Sequence, residues 1–243
     1  MPELIALHYS PWSERARWSL DHHKIAYDYS EYVPLLGEVW LRMKLKNFTS
    51  KASVPALIID ENTALTESWD IASYADQHGR GSKLLAKPGE IRGIIDKVEI
   101  ALQAGRIRTT SRIRDNEKAL KENMPDFIPD MLQGASIPVA WLGSAYLLFK
   151  YDVSEDNDQL LSRMRNVLIE LDKKVQAAGE YLLGDFSFAD MAVASMLQFV
   201  KPVAANYIYL GEHTTECWSE PALAREFKDL LSWRDTIYQK HRK

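Results

Sequence analysis

The sequence predicts two domains of different class: a mixed α/β domain of order β-α-β-α-β-β-α, followed by a domain made only of helices. Short apolar runs that alternate with helical segments occur in roughly the first 80 residues. Beyond them, apolar residues recur only at helical spacing. A glycine- and lysine-rich segment that ends in Pro88-Gly89 separates the two patterns. We therefore place the first domain at residues 1–80, a linker at 81–89 and the all-helical domain at 90–243.

The first domain should begin with a strand and a helix that meet at Ser10. Residues 3–9 form a short, mostly apolar run that leaves no room for a long helix before Pro11. Serine is favoured immediately before a helix, and proline is favoured at the first helical position, where its missing N–H costs nothing. Apolar residues then recur every four positions as far as Leu20, which is one face of a helix.

The remaining elements of the first domain follow from the same kinds of pattern. They are a strand at 26–33, a short helix at 38–46, a strand at 54–60, a strand at 64–66 and a helix capped by Ser68 that runs to about His78. The first two strands are joined through a helix and should be parallel. The last two form a hairpin and should be antiparallel. Pro55 stands near the start of a strand, where a missing N–H is tolerated.

Helical periodicity defines the second domain. An amphipathic helix should place six apolar residues on one face, namely Leu160, Met164, Val167, Leu168, Leu171 and Val175. Pro125 and Pro129 predict a break or loop within residues 116–134, and residues 138–150 should form another helix. Ser187 and Asp190 have the spacing of a capping box ahead of a nearly wholly apolar helix, which should be buried.

Composition excludes several classes of function. Hydrophobic residues make up 46% and charged residues 26%, as in an ordinary soluble globular protein. A net charge of −4 gives no reason to expect a nucleic-acid partner. The apolar stretches fall short of the ~20 residues that cross a bilayer, and the first residues lack a secretion signal, so we expect a cytoplasmic protein without a membrane partner. The single cysteine, Cys217, and the absence of metal-ligand spacing predict no metal.

Three segments of the first domain resemble those of the soluble glutathione transferases, and the likeness in domain order extends over nearly the whole chain. They are Ser10-Pro11-Trp12-Ser13, similar to the active-site segment of the serine- and cysteine-type classes; Val54-Pro55, similar to the family's valine and cis-proline; and Glu67-Ser68-x-x-Ile71, similar to its glutathione-binding segment. The capping box is similar to one in the family's second domain. The resemblance implies a thioredoxin-like first domain, a homodimer, and conjugation of glutathione to an electrophilic, partly apolar substrate, as in detoxification.

The resemblance also implies roles for individual residues. Ser10 would donate a hydrogen bond to the glutathione sulfur at a helix N-terminus, where thiol pKa values fall. Ser13 and Tyr9 stay as alternatives, because the residues around Tyr9 also resemble the tyrosine-type classes. Ser68 would hold the γ-glutamyl carboxylate, and Glu67 the neighbouring ammonium group. The other glutathione contacts implied are Trp12, Lys51, Val54 and Pro55.

Departures from the family pattern leave other functions open. Cysteine-type members have a cysteine where this chain has Ser10, which argues against disulfide exchange through a protein thiol. Residues 47–53 are longer than the family's Asn-Pro-x-x-Lys segment, and this bears on whether Lys51 reaches the glycine carboxylate. The alternatives are a non-catalytic protein that binds glutathione or a hydrophobic ligand, and a glutathione-dependent isomerase or reductase.

Overall fold

The structure, a computed structural model, describes residues 1–34, 37–49, 52–124, 133–150 and 156–242. The first part of the chain contains β1 (Glu3–Ala6), α1 (Pro11–His22), β2 (Asp28–Glu31), α2 (Glu38–Lys44), β3 (Ala56–Ile58), β4 (Ala64–Leu65) and α3 (Ser68–His78). The second part contains α4 (Pro88–Arg114), α5 (Glu117–Glu122), α6 (Gln133–Lys150), α7 (Asn157–Ala178), α8 (Phe188–Met196), α9 (Glu212–Trp218), α10 (Pro221–Glu226) and α11 (Lys228–His241). This order confirms the predicted fold class.

The four strands form one mixed sheet in the order β2-β1-β3-β4. β1 pairs with β2 in parallel, and β3 pairs antiparallel with both β1 and β4. Both pairings that the connection lengths predicted are therefore confirmed. The segments that follow β1, precede β3 and follow β4 lie outside the hydrogen-bonded strands. Their side chains can therefore contribute to one site.

The strands are shorter than the sequence predicted. β1 ends at Ala6 instead of Tyr9, because the chain turns into α1: the N–H of Ser10 donates to the carbonyl oxygen of Leu7 at 3.1 Å. β3 begins at Ala56, directly after Pro55, which has no N–H to donate to a ladder. The peptide bond between Val54 and Pro55 is cis, as the resemblance implied.

The caps of α1 and α3 differ from one another. Ser10 is the N-cap of α1 as predicted, and its hydroxyl oxygen accepts a hydrogen bond from the N–H of Ser13. For α3 the prediction was wrong by one position. Glu67 is the N-cap, with an extended backbone at φ −113° and ψ 138°, and its carbonyl oxygen accepts from Ile71. Ser68 is thus the first residue inside the helix.

Helix α8 lies at the centre of the second part. All nine of its residues are buried, and its predicted capping box is present. The carboxylate of Asp190 accepts hydrogen bonds from the N–H groups of Leu182 and Ser187 at 2.8 and 2.9 Å. Helix α4 packs against α6, α7 and α8. The six residues predicted for the inner face of α7 are all buried.

Two segments depart from the prediction. Residues 116–134 were expected to form a break, yet they contain α5, whose N-cap Asn116 accepts from Lys118 and Ala119. Pro125 and Pro129, on which that expectation rested, lie outside the described residues. Helix α6 starts at Gln133 and continues through Pro138, where the sequence had placed its first residue.

The two parts of the chain share a hydrophobic core. Trp18 of α1 and Ala72 of α3 are fully buried in the same cluster as the residues of α8. The division at residues 80 and 90 stays a prediction, although α3 ends at His78 and α4 begins at Pro88. Among the described residues, none of the helices combines the length and the apolar character that crossing a bilayer demands.

Candidate functional site

A cavity of about 400 Å³ lies between the first part of the chain and the helices of the second. Six of the residues predicted to contact glutathione line its first wall, namely Ser10, Trp12, Val54, Pro55, Glu67 and Ser68. The opposite wall is built from α4, α6 and the segments around Phe199 and Trp218. Residues that are far apart in the sequence therefore meet at one site, and both walls combine polar and apolar side chains.

Ser10 stands where the cavity meets the N-terminus of α1. Its side chain is buried, and its oxygen accepts from the N–H of Ser13 at 3.5 Å, which is long for a hydrogen bond. Since that oxygen acts there as an acceptor, the hydroxyl proton can still be donated to a ligand. The N–H groups at the start of α1 add a partial positive charge that favours an anion at this position.

The two alternatives to Ser10 differ in their positions. Ser13 is fully buried, and its oxygen accepts from the N–H of Leu7 at 3.2 Å. It does not belong to the cavity lining that the described residues form. Tyr9 does line the cavity, and its ring packs edge-on against Trp218. Burial, assisted by the negative charge of Glu31, raises the pKa of Tyr9 far above its usual range, so the phenol keeps its proton and can act as a donor.

Val54 and Pro55 line the cavity beside Ser10. An extended peptide in the cavity could pair with the backbone of this segment. Ser53 and Ala52 continue the same wall. Lys51, which was expected to contact the glycine end of glutathione, lies outside the described residues.

Glu67 and Ser68 form the start of α3 at the cavity wall. Ser68 is buried at the first helical position, where its N–H has no partner within the helix. Glu67 is exposed, and its pKa is raised by partial loss of solvent and by the negative charges of Glu99 and Asp70, against the influence of Arg15. A cationic group of a ligand beside Glu67 would relieve this repulsion.

Glu99 of α4 is a site residue that the sequence did not reveal. One carboxylate oxygen accepts from the indole Nε1 of Trp12 at 2.8 Å, and the other accepts from Nη2 of Arg15 at 2.8 Å. Arg15 is almost completely buried, and its Nε and Nη1 have no hydrogen-bond partner among the described residues. Glu99 thereby joins α4 to α1, across 84 and 87 residues of sequence.

Arg106, two turns further along α4, was also missed. Its guanidinium lies over the ring of Trp12, 4.9 Å from the centroid, and the residue lines the cavity. Gln103, Thr109 and Thr110 line the same part of α4. No periodic signal singles out these residues, because a long amphipathic helix presents many polar side chains and only the tertiary fold selects the ones that face a cavity.

Within the part of the chain that the structure describes, no three histidine, cysteine, aspartate or glutamate side chains are grouped so as to hold a metal ion.

Comparisons with known proteins show a similar N-terminal sequence and a similar fold. Residues 9–78 match the family of the glutathione S-transferase N-terminal domain. No curated protein matches the chain. Among solved structures, a glutathione transferase family member from Pseudomonas fluorescens Pf-5 with bound glutathione is similar, at 17% identity and a TM-score of 0.61, over 98% of this chain and 95% of that one.

Two further structures show the same fold. A glutathione S-transferase from Methylobacillus flagellatus with glutathione bound has 15% identity and a TM-score of 0.57, over 100% of this chain and 96% of that one. Glutaredoxin 2 from Salmonella typhimurium in complex with glutathione has 17% identity and a TM-score of 0.52, over 97% and 99%. The first part of the chain is thus similar in sequence to the glutathione S-transferase N-terminal domain, and the chain as a whole has the fold of these solved structures.

Proposed function

We propose that this protein is a glutathione transferase that joins the sulfur of glutathione to an electrophilic, partly apolar second substrate. The observation that supports this function best is that six residues predicted to contact glutathione lie together on one wall of a cavity whose other wall includes the apolar side chains of Ile113, Leu147 and Phe199. Related folds with glutathione bound support the identity of the first substrate. A homodimer, a cytoplasmic location and a role in detoxification belong to the same proposal.

Glutathione would lie along the first wall in an extended conformation. Its γ-glutamyl carboxylate would accept from the N–H and hydroxyl of Ser68, at the positive end of α3, and its ammonium group would pair with Glu67. The backbone of Val54 would pair with the cysteinyl residue. Lys51 remains the proposed partner of the glycine carboxylate. The thiol would then lie beside Ser10 and Trp12.

The reaction needs the thiolate, since a thiol with a pKa near 8.5 is only a few per cent ionised at pH 7. The Ser10 hydroxyl would donate to the sulfur, and the N-terminus of α1 would add its partial charge, so the thiol proton leaves to solvent at lower pH. The sulfur electron pair then forms a bond to the electrophilic carbon. In a substitution the leaving group departs with its bonding pair; in an addition to a conjugated double bond, the neighbouring carbon takes up a proton.

A second candidate is a glutathione-dependent reductase, which the similarity in fold to glutaredoxin 2 favours. Such chemistry through a protein thiol would need a cysteine in the cavity. The only cysteine of the chain, Cys217, is buried and is not among the described residues of the cavity lining. Conjugation through the glutathione thiol is therefore the better assignment. The experiment also tests two alternatives, an isomerase that uses the same thiolate and a non-catalytic binder.

The experiment compares Ser10→Ala with Ser68→Ala. We expect Ser10→Ala to lower the conjugation rate roughly 10- to 100-fold, the value of a hydrogen bond to a charged group, while the glutathione Kd changes little. Its pH-rate profile should move to higher pH, because the thiol pKa rises when a donor is lost. Ser68→Ala should instead weaken glutathione binding by about 1–3 kcal/mol.

Tyr9→Phe and Ser13→Ala are the matched controls, measured on the same electrophile between pH 5.5 and 9. If either one shows the rate loss and the shifted profile, the role of donor passes to that residue. A Ser10→Ala enzyme with full rate and an unshifted profile contradicts the assignment. The wild-type protein is also assayed with a panel of electrophiles, disulfides and isomerisable acids. If it binds glutathione but converts none of these compounds, it is a non-catalytic binding protein.

A further inference from the structure

We infer that Tyr9 acts on the second substrate: its phenol donates a hydrogen bond to an oxygen of the electrophile that gains negative charge as the glutathione sulfur attacks. The inference rests on the proposed function for its reaction. It adds a class of second substrate, namely apolar compounds whose reacting double bond is conjugated to a carbonyl group. It starts from the position of Tyr9 between the two walls of the cavity.

The side chain of Tyr9 reaches the second wall of the cavity. In the sequence Tyr9 directly precedes Ser10, beside which the glutathione sulfur is proposed to lie. Its ring packs edge-on against Trp218 of the second wall, with ring centroids 5.7 Å apart and planes at 73°. Tyr9, Ser10 and Trp218 all line the cavity. An electrophile that meets the sulfur beside Ser10 would therefore lie close to the Tyr9 side chain.

Aromatic contacts continue from Trp218 back to the first wall. Phe199 stacks on Trp218 with ring centroids 4.6 Å apart, and it also contacts Trp12 edge-on at 6.4 Å. Helix α4 packs closely on Phe199 because Gly105 has no side chain: a Cβ at that position would lie 2.7 Å from the Cβ of Phe199. These three aromatic residues line the cavity together with Tyr9. Their rings offer surfaces on which the apolar body of an electrophile can pack beside the phenol.

The hydroxyl of Tyr9 has no hydrogen-bond partner among the described residues, and the contacts of this side chain are ring contacts. The hydroxyl oxygens of Ser10 and Ser13, in contrast, both accept from backbone N–H groups. Burial and the charge of Glu31 raise the pKa of Tyr9 far above its usual range, so the phenol stays protonated as a donor. A polar group withdrawn from water costs free energy unless it is hydrogen-bonded, and an oxygen of the electrophile would supply that bond.

The donor suits an addition reaction to an α,β-unsaturated ketone. The sulfur electron pair forms a bond to the β-carbon, and the π electrons of the double bond move toward the carbonyl oxygen, which becomes an enolate oxygen. Tyr9 donates a hydrogen bond to that oxygen and keeps its proton. The α-carbon then takes up a proton from water, which balances the thiol proton released earlier. Because the oxygen is neutral before the attack and negative after it, the hydrogen bond strengthens in the transition state.

The test compares 4-phenyl-3-buten-2-one with benzyl bromide, two electrophiles with a phenyl body of which only the ketone contains oxygen. In benzyl bromide the sulfur bonds to the benzylic carbon, and bromide departs with the electron pair of the broken bond. The readout is the ketone-to-bromide ratio of kcat/KM at saturating glutathione, each value corrected for the spontaneous reaction. We expect Tyr9→Phe to lower this ratio about 10- to 100-fold, the equivalent of a lost hydrogen bond to a charged group.

Two further variants separate this role from activation of the thiol. Ser10→Ala should slow both reactions by the same factor and leave the ratio unchanged, because both use the same thiolate. Tyr74→Phe is the matched control: Tyr74 stacks on His78 at 4.2 Å and is not part of the described cavity lining, so the loss of its hydroxyl should leave the ratio unchanged. The ultraviolet absorbance of the bound glutathione thiolate should titrate at the same pH in Tyr9→Phe as in the wild type.

A ketone-to-bromide ratio that Tyr9→Phe leaves unchanged overturns the inference, whether the two rates stay constant or fall together. If they fall together and the thiolate titration moves to higher pH, Tyr9 is the donor to the glutathione sulfur instead. Thermal unfolding identifies a variant that fails to fold. In that case 3,5-difluorotyrosine at position 9, a stronger donor of the same shape, supplies the comparison: it should raise the ratio, and an unchanged ratio again overturns the inference.

A wild-type protein that conjugates neither compound contradicts the proposed function, and a binding measurement then decides the inference alone. It uses the two chemically prepared glutathione conjugates, of which only one has the carbonyl group. By calorimetry, the ketone conjugate should bind about 2- to 10-fold more weakly to Tyr9→Phe than to the wild type, the equivalent of a lost neutral hydrogen bond, and S-benzylglutathione should bind equally to both. Equal affinities of the ketone conjugate for the two proteins would overturn the inference.

Discussion

Glu99 determines the charge environment of the proposed glutathione amine site. Glu99 lines the same cavity as Glu67, and its negative charge helps to raise the pKa of that carboxyl. Partial burial is the first cause of the rise and Glu99 the second, with Asp70 as a further contribution. A Glu67 with a raised pKa loses its charge, and with it the proposed pairing to the glutathione ammonium group, at a higher pH than an ordinary glutamate would.

We therefore predict that Glu99→Gln moves the acid limb of glutathione binding to lower pH. The change removes one negative neighbour and leaves the positive charge of Arg15, and both effects lower the pKa of Glu67. Asp70→Asn is the control: Asp70 is exposed, so a smaller shift in the same direction is expected. The glutathione Kd, measured from pH 4 to 8, checks this. A limb that stays in place or moves upward contradicts the role given to Glu99.

At the scale of residues, the sequence revealed the first wall of the cavity and missed the second. Ser10, Pro55 and Ser68 could be identified because each is a residue type with a local task at a turn or a helix start. Glu99 and Arg106 have no such local task. They line the cavity because the tertiary fold brings α4 beside Trp12 and Arg15, which are more than 80 positions from Glu99 in the sequence.

At the scale of elements, the capping box of α8 is the clearest case in which a short motif fixes a buried structure. Asp190 has no solvent exposure, and burial raises its pKa even though it accepts hydrogen bonds from Leu182 and Ser187. Its carboxylate also accepts from the Ser187 hydroxyl at 2.8 Å. The start of a wholly buried helix thus depends on one side chain.

We predict that Asp190→Ala lowers the free energy of unfolding by about 3 kcal/mol or more, because it leaves two buried N–H groups without acceptors at about 1–3 kcal/mol each. Ser187→Ala keeps the Asp190 carboxylate and should cost only about 1 kcal/mol. Urea denaturation of both variants provides the comparison. Equal losses in the two variants would mean that the hydroxyl, and not the carboxylate, organises the cap.

The elements themselves followed from the sequence better than their ends did. The spacing of six apolar residues identified α7, and all six are buried. The start of α3 was displaced by one residue, because serine is a common cap while the extended backbone at Glu67 is set by the strand that precedes it. The start of α6 was misplaced for a similar reason: Pro138 suits a first helical position, yet the helix begins one turn earlier.

At the scale of the whole molecule, the last helix returns to the first one. The indole of Trp18 donates to the carbonyl oxygen of His241 at 3.0 Å. Arg242, which follows α11, donates through Nε to the fully buried Glu14 of α1 at 2.8 Å and also pairs with Asp21. Glu14 pairs with Arg17 on its own helix as well. Helix α1 is thus bonded to His241 and Arg242 through Trp18, Glu14 and Asp21.

The pairing between Arg242 and the buried Glu14 should stabilise the fold. We predict that Arg242→Gln lowers the free energy of unfolding by about 1–3 kcal/mol. This is less than the ~3–5 kcal/mol typical of breaking a buried pair, because Arg17 still accompanies the Glu14 carboxylate. The double variant Glu14→Gln/Arg242→Gln should recover part of that loss, since the buried negative charge is then gone as well. Thermal and urea unfolding of both single variants and the double variant measure the coupling. Losses that simply add in the double variant would show that Arg242 and Glu14 act independently, and the contact between the chain ends would then contribute little to stability.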